Sequence, residues 1–592
     1  MTLKRKGAFG AAFLFTESPG SAVTPEGFTE EQMMMAETTR QFIEKSVVPH
    51  DQKIEGLDYE LTLRLLKEAG SLGLLGADVP EAFGGLGLDK VSATLINESL
   101  AKASSFALSA SVHTGIGTLP IVFFGSPDQK KKYLPELAAG TKIAAYCLTE
   151  PSSGSDALSA KTTARLSDDG KYYVLNGEKQ FITNAGFADI FIVYARIDGK
   201  GFSAFIVERN WDGVSLGPEE KKMGIKGSST RPVILEDVRV PAGNLLGEAG
   251  RGHVIAFNIL NIGRFKLATL ALGSAKEVIA LSTKFANERE QFGRPIASFP
   301  LIREKLADMN IRTYALESVI YRTAGLIDQS LATLDYNSPD SGKRSASGIA
   351  EYAIECSINK VLGSETLDFV ADEGVQIHGG YGFISEYKIE RIYRDSRINR
   401  IFEGTNEINR LVISSTLLKK AAKGELPLLR MLGTLESDIE ALIRKKPAPG
   451  ASGTEEYLVA ASKKILLYVL GLATRKFDQQ LQQEQLLIKY FSDMMIAVYT
   501  MESVLIRSMQ IQGKEDRRPD VLTGDMMKVY VHECFEKVTS LAKKVLAYLE
   551  KGETLTGRLI TLDEVAVQLP IDSLKLKMQI GQRVAEAGKY LT

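Results

Sequence analysis

Apolar residues recur at spacings of three and four across residues 30–44 and 60–72, the period of amphipathic helices. Thr29, with Gln32 three residues on, predicts a capping box ahead of the first. Pro49, Pro80 and the Gly84-Gly85 pair predict breaks. A helical domain is therefore expected over 29–142, behind an N-terminal arm of 1–28. From 143 to 253 the pattern changes to short β-rich runs: KYYVLNGEKQFITN, DIFIVYARI, GFSAFIVER and RPVILEDVRV. Turn signals stand at Asp169-Gly170, Asn176-Gly177 and Asp198-Gly199. This predicts a compact antiparallel sheet, a barrel or sandwich.

Helical period returns over 254–420, where 260–287, 301–329 and 349–378 are each long enough for a bundle helix. The polar DYNSPDSGKRSASG between the last two reads as an exposed loop. Residues 421–592 are again helical in pattern, interrupted by the linker KKPAPGASGT. The expected fold class is multi-domain, α plus β. It comprises an N-terminal helical domain, a middle antiparallel β domain, a C-terminal four-helix bundle and an additional C-terminal helical domain.

Composition narrows the chemistry. At about 150 residues per domain, 592 residues suit three or four domains or subdomains. With 44% hydrophobic and 24% charged residues the chain is globular, not disordered. The 72 Lys+Arg balance 73 Asp+Glu, which argues against a nucleic-acid partner but permits a local basic patch for a phosphorylated ligand. Cys147, Cys356 and Cys534 are too scattered for a disulfide framework and point to a reducing compartment. The five His and the absence of Cys pairs argue against a zinc site. The longest apolar run, 465–473, is too short to cross a bilayer, so no membrane-spanning helix is expected. Lys4, Arg5 and Lys6 before GAFGAAFLF mimic a short signal peptide, with cleavage conceivable after Ala22. The reading adopted is an arm that packs on the body.

Four strings carry candidate chemistry, while a phosphate loop, HExxH, GxSxG and a strand-linked GxGxxG are absent. In CLTEPSSGSD (147–156) a strand leads into small residues whose backbone N–H groups can converge on an anion, with hydroxyls on Thr149, Ser152, Ser153 and Ser155. In FITN, Phe181 and Thr183 stand two apart on a strand, so ring and hydroxyl share a face. In QIHGGYG (376–382) glycines permit close approach of a ligand, or simply cap a helix. In IFEGTN (401–406) Glu403 precedes a helix capped by Thr405 or Asn406. An apolar setting would raise its pKa and suit it to be a base.

Together with EKKMGIK, ILNIGRF and NEREQFG, these strings resemble the acyl-CoA dehydrogenase family along essentially the whole chain. The length and helical tail resemble its very-long-chain branch. The resemblance implies an FAD-dependent oxidoreductase of fatty-acid β-oxidation, a dimer or tetramer, that converts a long-chain acyl-CoA to trans-2-enoyl-CoA. It implies Glu403 as the α-proton base, with a β-hydride passing to the flavin and onward to an electron-transfer flavoprotein. Some branches place the base at the residue aligned with Gly263, which here is Gly. Tyr146, Leu148, Thr149, Gly154 and Ser155 would hold flavin and pyrophosphate, with Phe181 and Thr183 flanking the ring; many members carry Trp at Phe181. Arg289, Phe292, Gln376, Gly379 and Gly380 would reach the adenosine end from a neighbouring subunit, and Thr405 and Glu407 would touch FAD. Ser155, Arg264, Phe402 and Gly404 would contact the acyl-CoA.

The same resemblance admits an acyl-CoA oxidase that uses oxygen, or a non-enzymatic respiratory-complex assembly role. It implies the cytoplasm for a bacterial source and the mitochondrial matrix side for a eukaryotic one. The tail's amphipathic stretches, KKILLYVLGLATRK foremost, suit peripheral membrane contact, or else packing over the dimer.

Overall fold

The computed structural model describes residues 9–16, 20–335, 338, 340–448, 451–513, 521–566 and 569–592. The first domain packs the helices Glu30–Phe42, Tyr59–Ser71, Lys90–Leu100, Ser105–Val112, Leu119–Phe124 and Pro127–Ala138. The expected capping box is present: the Thr29 hydroxyl accepts from the Gln32 N–H, and the Gln32 side chain accepts from the Thr29 N–H. Pro49 sits in a tight turn, Val48–His50, and Gly84 takes φ 83° beyond Pro80.

The middle domain is an eight-stranded sheet. Its long strands Tyr172–Thr183, Ile190–Ile197, Gly201–Glu208 and Thr230–Pro241 are antiparallel to their long-strand neighbours. The expectation of a purely antiparallel sheet needs correction. Ala144–Cys147 and Thr163–Leu166 both pair in parallel with Ile190–Ile197, the first at its start and the second at its end. They lie end to end along one edge, so the chain between them leaves the sheet and returns to the same edge in the same direction. That excursion carries CLTEPSSGSD. Asp198 and Gly199 form the expected hairpin turn, both at positive φ. Asn176-Gly177, expected as a turn, is instead a register shift inside Tyr172–Thr183. An Asn-Gly pair serves a bulge as readily as a turn.

The bundle consists of Gly252–Glu288, Pro300–Leu331, Ala353–His378 and Asn406–Ala422. The expected helix over 349–378 is broken at Tyr352, and the polar segment before it is no open loop in its second half. Ser341–Glu351 is a helix whose Gly342, Ser345 and Ala346 are buried. A Cβ on Gly342 would lie 2.7 Å from the Phe123 carbonyl, so small residues here signal close packing. Tyr336, Asn337 and Pro339 of that segment lie outside the described residues.

The tail adds Leu428–Arg444, Thr454–Phe477, Gln485–Gln512, Val521–Leu549, Gly552–Val565 and Ser573–Ala587. One continuous apolar core joins tail, bundle and N-terminal arm. Within it, Glu317 of the bundle meets Lys276, Tyr590 and, at 2.7 Å, Arg507 of the tail. Burial alone would raise the Glu317 carboxyl, but Lys276 and Arg507 hold it well below its ordinary value.

Three helical stretches, Ser105–Phe124, Gly252–Glu288 and Thr454–Gln483, are apolar and long enough to cross a membrane, contrary to the expectation of none. Each is packed into the core, with 72–83% of its most apolar 18-residue stretch buried. KKILLYVLGLATRK is among them: its residues 465–473 are buried, so it presents no apolar face to solvent.

The arm packs as expected, with Ala11, Phe13 and Leu14 buried. The Ala11 N–H donates to Glu355 of the bundle at 2.6 Å, while the Phe13 ring lies 4.8 Å from that of Tyr499 in the tail. Lys463 of the tail donates to the Thr16 carbonyl at 3.0 Å. Lys4, Arg5 and Lys6 lie outside the described residues. Phe13→Ala should therefore destabilise the protein by about 3 kcal/mol, read as a lower unfolding temperature.

Candidate active site

A cavity of about 560 Å³ opens where the three domains meet. The helix Ser105–Val112 supplies Leu108 and Val112, and the following π-type turn His113–Gly117 supplies Gly115 and Ile116. The sheet supplies Tyr146, Phe181 and Thr183, and the excursion from it supplies Leu148, Thr149, Gly154 and Ser155. The first bundle helix adds Asn261, Gly263, Arg264 and Leu270, and the loop before the last bundle helix adds Phe402, Glu403 and Gly404. The strings 147–156, 181–184 and 401–406 thus converge from far apart in sequence.

Glu403 sits at the junction in a left-handed conformation, φ 57°, followed by Gly404 at φ 80°. Its carboxylate rests on the backbone of Gly263, where an added Cβ would meet Oε2 at 2.4 Å. Oε2 is buried and has no hydrogen-bond partner. Burial pushes the carboxyl up to about 7, against the opposing pull of Arg264 and Lys360. Lys360 is itself pulled down to about 7 by burial. The loop is held by its carbonyls. Asn409 Nδ2 donates to those of Gly404 (2.8 Å) and Thr405 (3.1 Å), and Arg264 Nε to that of Glu403 (3.3 Å).

The opposite wall is built around a buried ion pair. Glu150 meets Lys179 at 2.6 Å and accepts from the Thr162 N–H at 3.0 Å, which pins the excursion to the sheet. The reading that every hydroxyl of CLTEPSSGSD faces a ligand needs correction. Ser153 is buried and donates to the Asp156 carbonyl at 2.6 Å, and Ser152 is not on the cavity; Thr149 and Ser155 are. Phe181, at φ 59° in a second register shift of its strand, is 61% exposed at the wall beside Thr183. Tyr146 brings a buried hydroxyl whose neighbour is that of Tyr194.

Other expected residues do not reach this cavity. Arg289, Phe292, Gln376, Gly379 and Gly380 are exposed away from it. Arg289 lies over the Tyr381 ring at 5.7 Å, and Phe292 is 94% exposed. Thr405 caps the helix Asn406–Ala422 by accepting from the Ile408 N–H at 3.2 Å, and Glu407 stands in its first turn.

Sequence reasoning missed the residues that hold the site. Asn409 is not singled out by the sequence and Asn406 reads only as an alternative helix cap, yet Asn406 accepts from Lys360 at 2.7 Å and donates to Ser364 at 3.0 Å. Arg264, expected at the substrate, does line the cavity, and it also braces the site: its Nη1 donates to Asn261 and its Nε to the Glu403 carbonyl. Lys266 lines the cavity while pairing with Asp78 at 3.1 Å. His113 Nδ1 accepts from the Ala144 N–H at 3.0 Å and its Nε2 donates to the Leu137 carbonyl at 2.9 Å; burial lowers its pKa to about 4. Only the buried setting of these polar residues marks them, and that appears with the fold.

Because the folded pKa of Glu403 exceeds its ordinary 4.5, the folded state binds the extra proton between these values, and stability falls as pH rises through that window. Glu403→Gln should therefore stabilise the protein at pH 8 by about 1–3 kcal/mol and be near neutral at pH 4.5. Thermal unfolding at the two pH values checks this.

Four family signatures match the chain. They are acyl-CoA dehydrogenase, N-terminal domain, over residues 29–141; middle domain, over 145–238; C-terminal domain, over 250–418; and a further C-terminal domain over 461–563. A probable acyl-CoA dehydrogenase of Bacillus subtilis is 54% identical over 570 residues, 96% of each chain. The human very long-chain specific acyl-CoA dehydrogenase, mitochondrial, is 41% identical over 406 residues, 67% of this chain and 59% of that one. The crystal structure of an acyl-CoA dehydrogenase complexed with FAD from Bacillus anthracis superposes with a TM-score of 0.96 at 51% identity, covering 99% of this chain and 100% of that one. With matched signatures over all three domains around the cavity, the chain belongs to the acyl-CoA dehydrogenase family of FAD-dependent oxidoreductases.

Proposed function

We propose that the chain oxidises a long-chain fatty acyl-CoA to trans-2-enoyl-CoA in fatty-acid β-oxidation, with Glu403 as the base that removes the α-proton. The observation that carries this reading is the buried, unpartnered Glu403 Oε2 in a cavity, on a carboxyl raised to about 7. An acid that weak when protonated is, once ionised, a strong enough base for a carbon-bound proton whose anion is stabilised. The Glu403 N–H has no partner among the described residues and is available to the thioester carbonyl as negative charge develops there. Leu108, Val112, Leu267 and Leu270 offer an apolar wall that suits an acyl chain and keeps water from the base.

The wall opposite suits FAD. Phe181 presents an exposed ring, Gly154 has open space where a side chain would stand, and Thr149, Ser155 and Thr183 bring hydroxyls to the cavity. Tyr146, Leu148, Thr149, Gly154, Ser155, Phe181 and Thr183 would hold it, with Thr405 and Glu407 nearby. When bound, FAD accepts the hydride from the substrate's β-carbon. The exposed patch of Arg289, Phe292, Gln376, Gly379 and Gly380 suits a site completed across a homodimer, each copy lending it to the other. An electron-transfer flavoprotein is the proposed acceptor. The very-long-chain relatives support the long-chain reading.

Glu403→Gln should keep the yellow colour of bound FAD and lose its bleaching by acyl-CoA; bleaching at the wild-type rate rejects the assignment, and peroxide release in air marks an oxidase instead. Wild-type turnover with a dye acceptor should rise with pH through about 7, because the base must be ionised. Gly263→Ala should displace the carboxylate and cut turnover at least tenfold, while the helix itself gains up to about 1 kcal/mol. Parallel kinetics and thermal unfolding separate the two effects.

A further inference from the structure

The helix Asn406–Ala422 starts beside Glu403 and lines the cavity along one face, through Ile408, Val412, Thr416 and Lys419. Steps of four, four and three keep these side chains on a single stripe. Its character changes with distance from Glu403, from apolar at Ile408 and Val412 to a hydroxyl at Thr416 and a cation at Lys419. The stripe ends in the open: Lys419 is exposed and has no ion-pair partner among the described residues. Its neighbour Lys420 is occupied, meeting Glu351 at 2.9 Å. At 1.5 Å per residue, Lys419 lies about 20 Å along the axis from the start of the helix. That is the scale of an extended pantetheine arm, which separates a thioester from the phosphates of its nucleotide.

We propose that Lys419 is the anchor for the phosphate groups of the CoA moiety at the outer end of the cavity. This rests on the acyl-CoA reading above and adds to it the residue that discriminates CoA from a shorter thioester carrier. A cation in the last turn of a helix also suits the helix dipole. That role would appear in stability and leave substrate affinity untouched, so the two are separable.

The test compares wild type, Lys419→Ala, Lys419→Glu and the control Lys423→Ala, an exposed lysine near the helix end that does not line the cavity. Each FAD-loaded protein is assayed at low ionic strength with an acyl-CoA and with the same acyl group on pantetheine, which lacks the nucleotide phosphates. Lys419→Ala should raise KM for the acyl-CoA about 3–10-fold, the range of a partly exposed charge-assisted contact. Lys419→Glu should raise it further, with kcat within about twofold of wild type in both. KM for the acyl-pantetheine should not move, and the difference should shrink as salt shortens the range of the charge. Lys423→Ala should match wild type. An equal rise for both thioesters, no rise for the acyl-CoA, or a lowered unfolding temperature alone overturns the anchor. If wild type oxidises neither thioester, the oxidation reading falls by itself. Binding of CoA alone to wild type and Lys419→Ala then decides the anchor, with equal affinity rejecting it.

Discussion

The rest of this site depends on how a lone carboxylate is held without being touched. Glu403 Oε2 needs to be dry to be basic and unpartnered to be free for a proton, and an ordinary buried acid would find a hydrogen bond or remain neutral. Here the restraint is moved to the main chain. Asn409 and Arg264 grip the carbonyls of residues 403–405, so the backbone is positioned while the carboxylate is not engaged. The left-handed φ at Glu403 costs about 1–2 kcal/mol, which those hydrogen bonds offset. Arg264 and Lys360 stand near enough to temper the pKa without neutralising the acid. Gly263 completes the arrangement, because its missing side chain is the space the carboxylate fills.

That grip reaches outward into the tail. Asn406, one helical turn before Arg410, donates to Glu365 at 3.1 Å; Arg410 donates to the same carboxylate at 3.1 Å and to Asp493 of the tail at 2.6 Å. Lys360 closes the inner end on Asn406. A run of charge-assisted bonds therefore connects the tail helix Gln485–Gln512 to the loop that bears Glu403. Satisfied, partly buried networks of this kind rigidify what they touch. Among the described residues the tail contributes none of this cavity's lining, yet it braces the helix from which the site is hung. The N-terminal arm, bound to Glu355 on one side and to Tyr499 and Lys463 on the other, closes the same junction from outside.

What could be read beforehand was whatever local periodicity and short contiguous strings encode. The capping box at Thr29, the first two long bundle helices and the hairpin at Asp198-Gly199 are local, and they stand as expected. So does the convergence of Glu403, Phe181, Thr183, Thr149 and Ser155 on one cavity, since each lay in a distinctive string. The parallel edge pairings were not legible, because they arise when residues far apart share the edge of Ile190–Ile197. Asn409, Asn406 and Lys360 were not legible either: an Asn at a helix start looks the same whether it faces water or grips a loop. Ser153 misled for the same reason, its hydroxyl being consumed within its own turn.

The apolar helices show the limit most clearly. Composition places Gly252–Glu288 and Thr454–Gln483 among stretches that could span a bilayer. A helix that is apolar nearly all round is buried in something, and lipid or protein satisfies it equally. What distinguishes the two cases here is the partners. Lys463 and Glu502 face one another inside the tail and Arg322 of the bundle joins Glu502 at 2.7 Å, so the charges on these helices find partners only in the packed protein. Withdrawing Thr454–Phe477 into lipid would strand Glu502 against Arg322 alone and unseat Lys463 from the Thr16 carbonyl. Breaking a buried pair in this way costs about 3–5 kcal/mol. Any membrane contact by this chain must therefore use other, exposed surface, and leave this helix in the core that supports the catalytic loop.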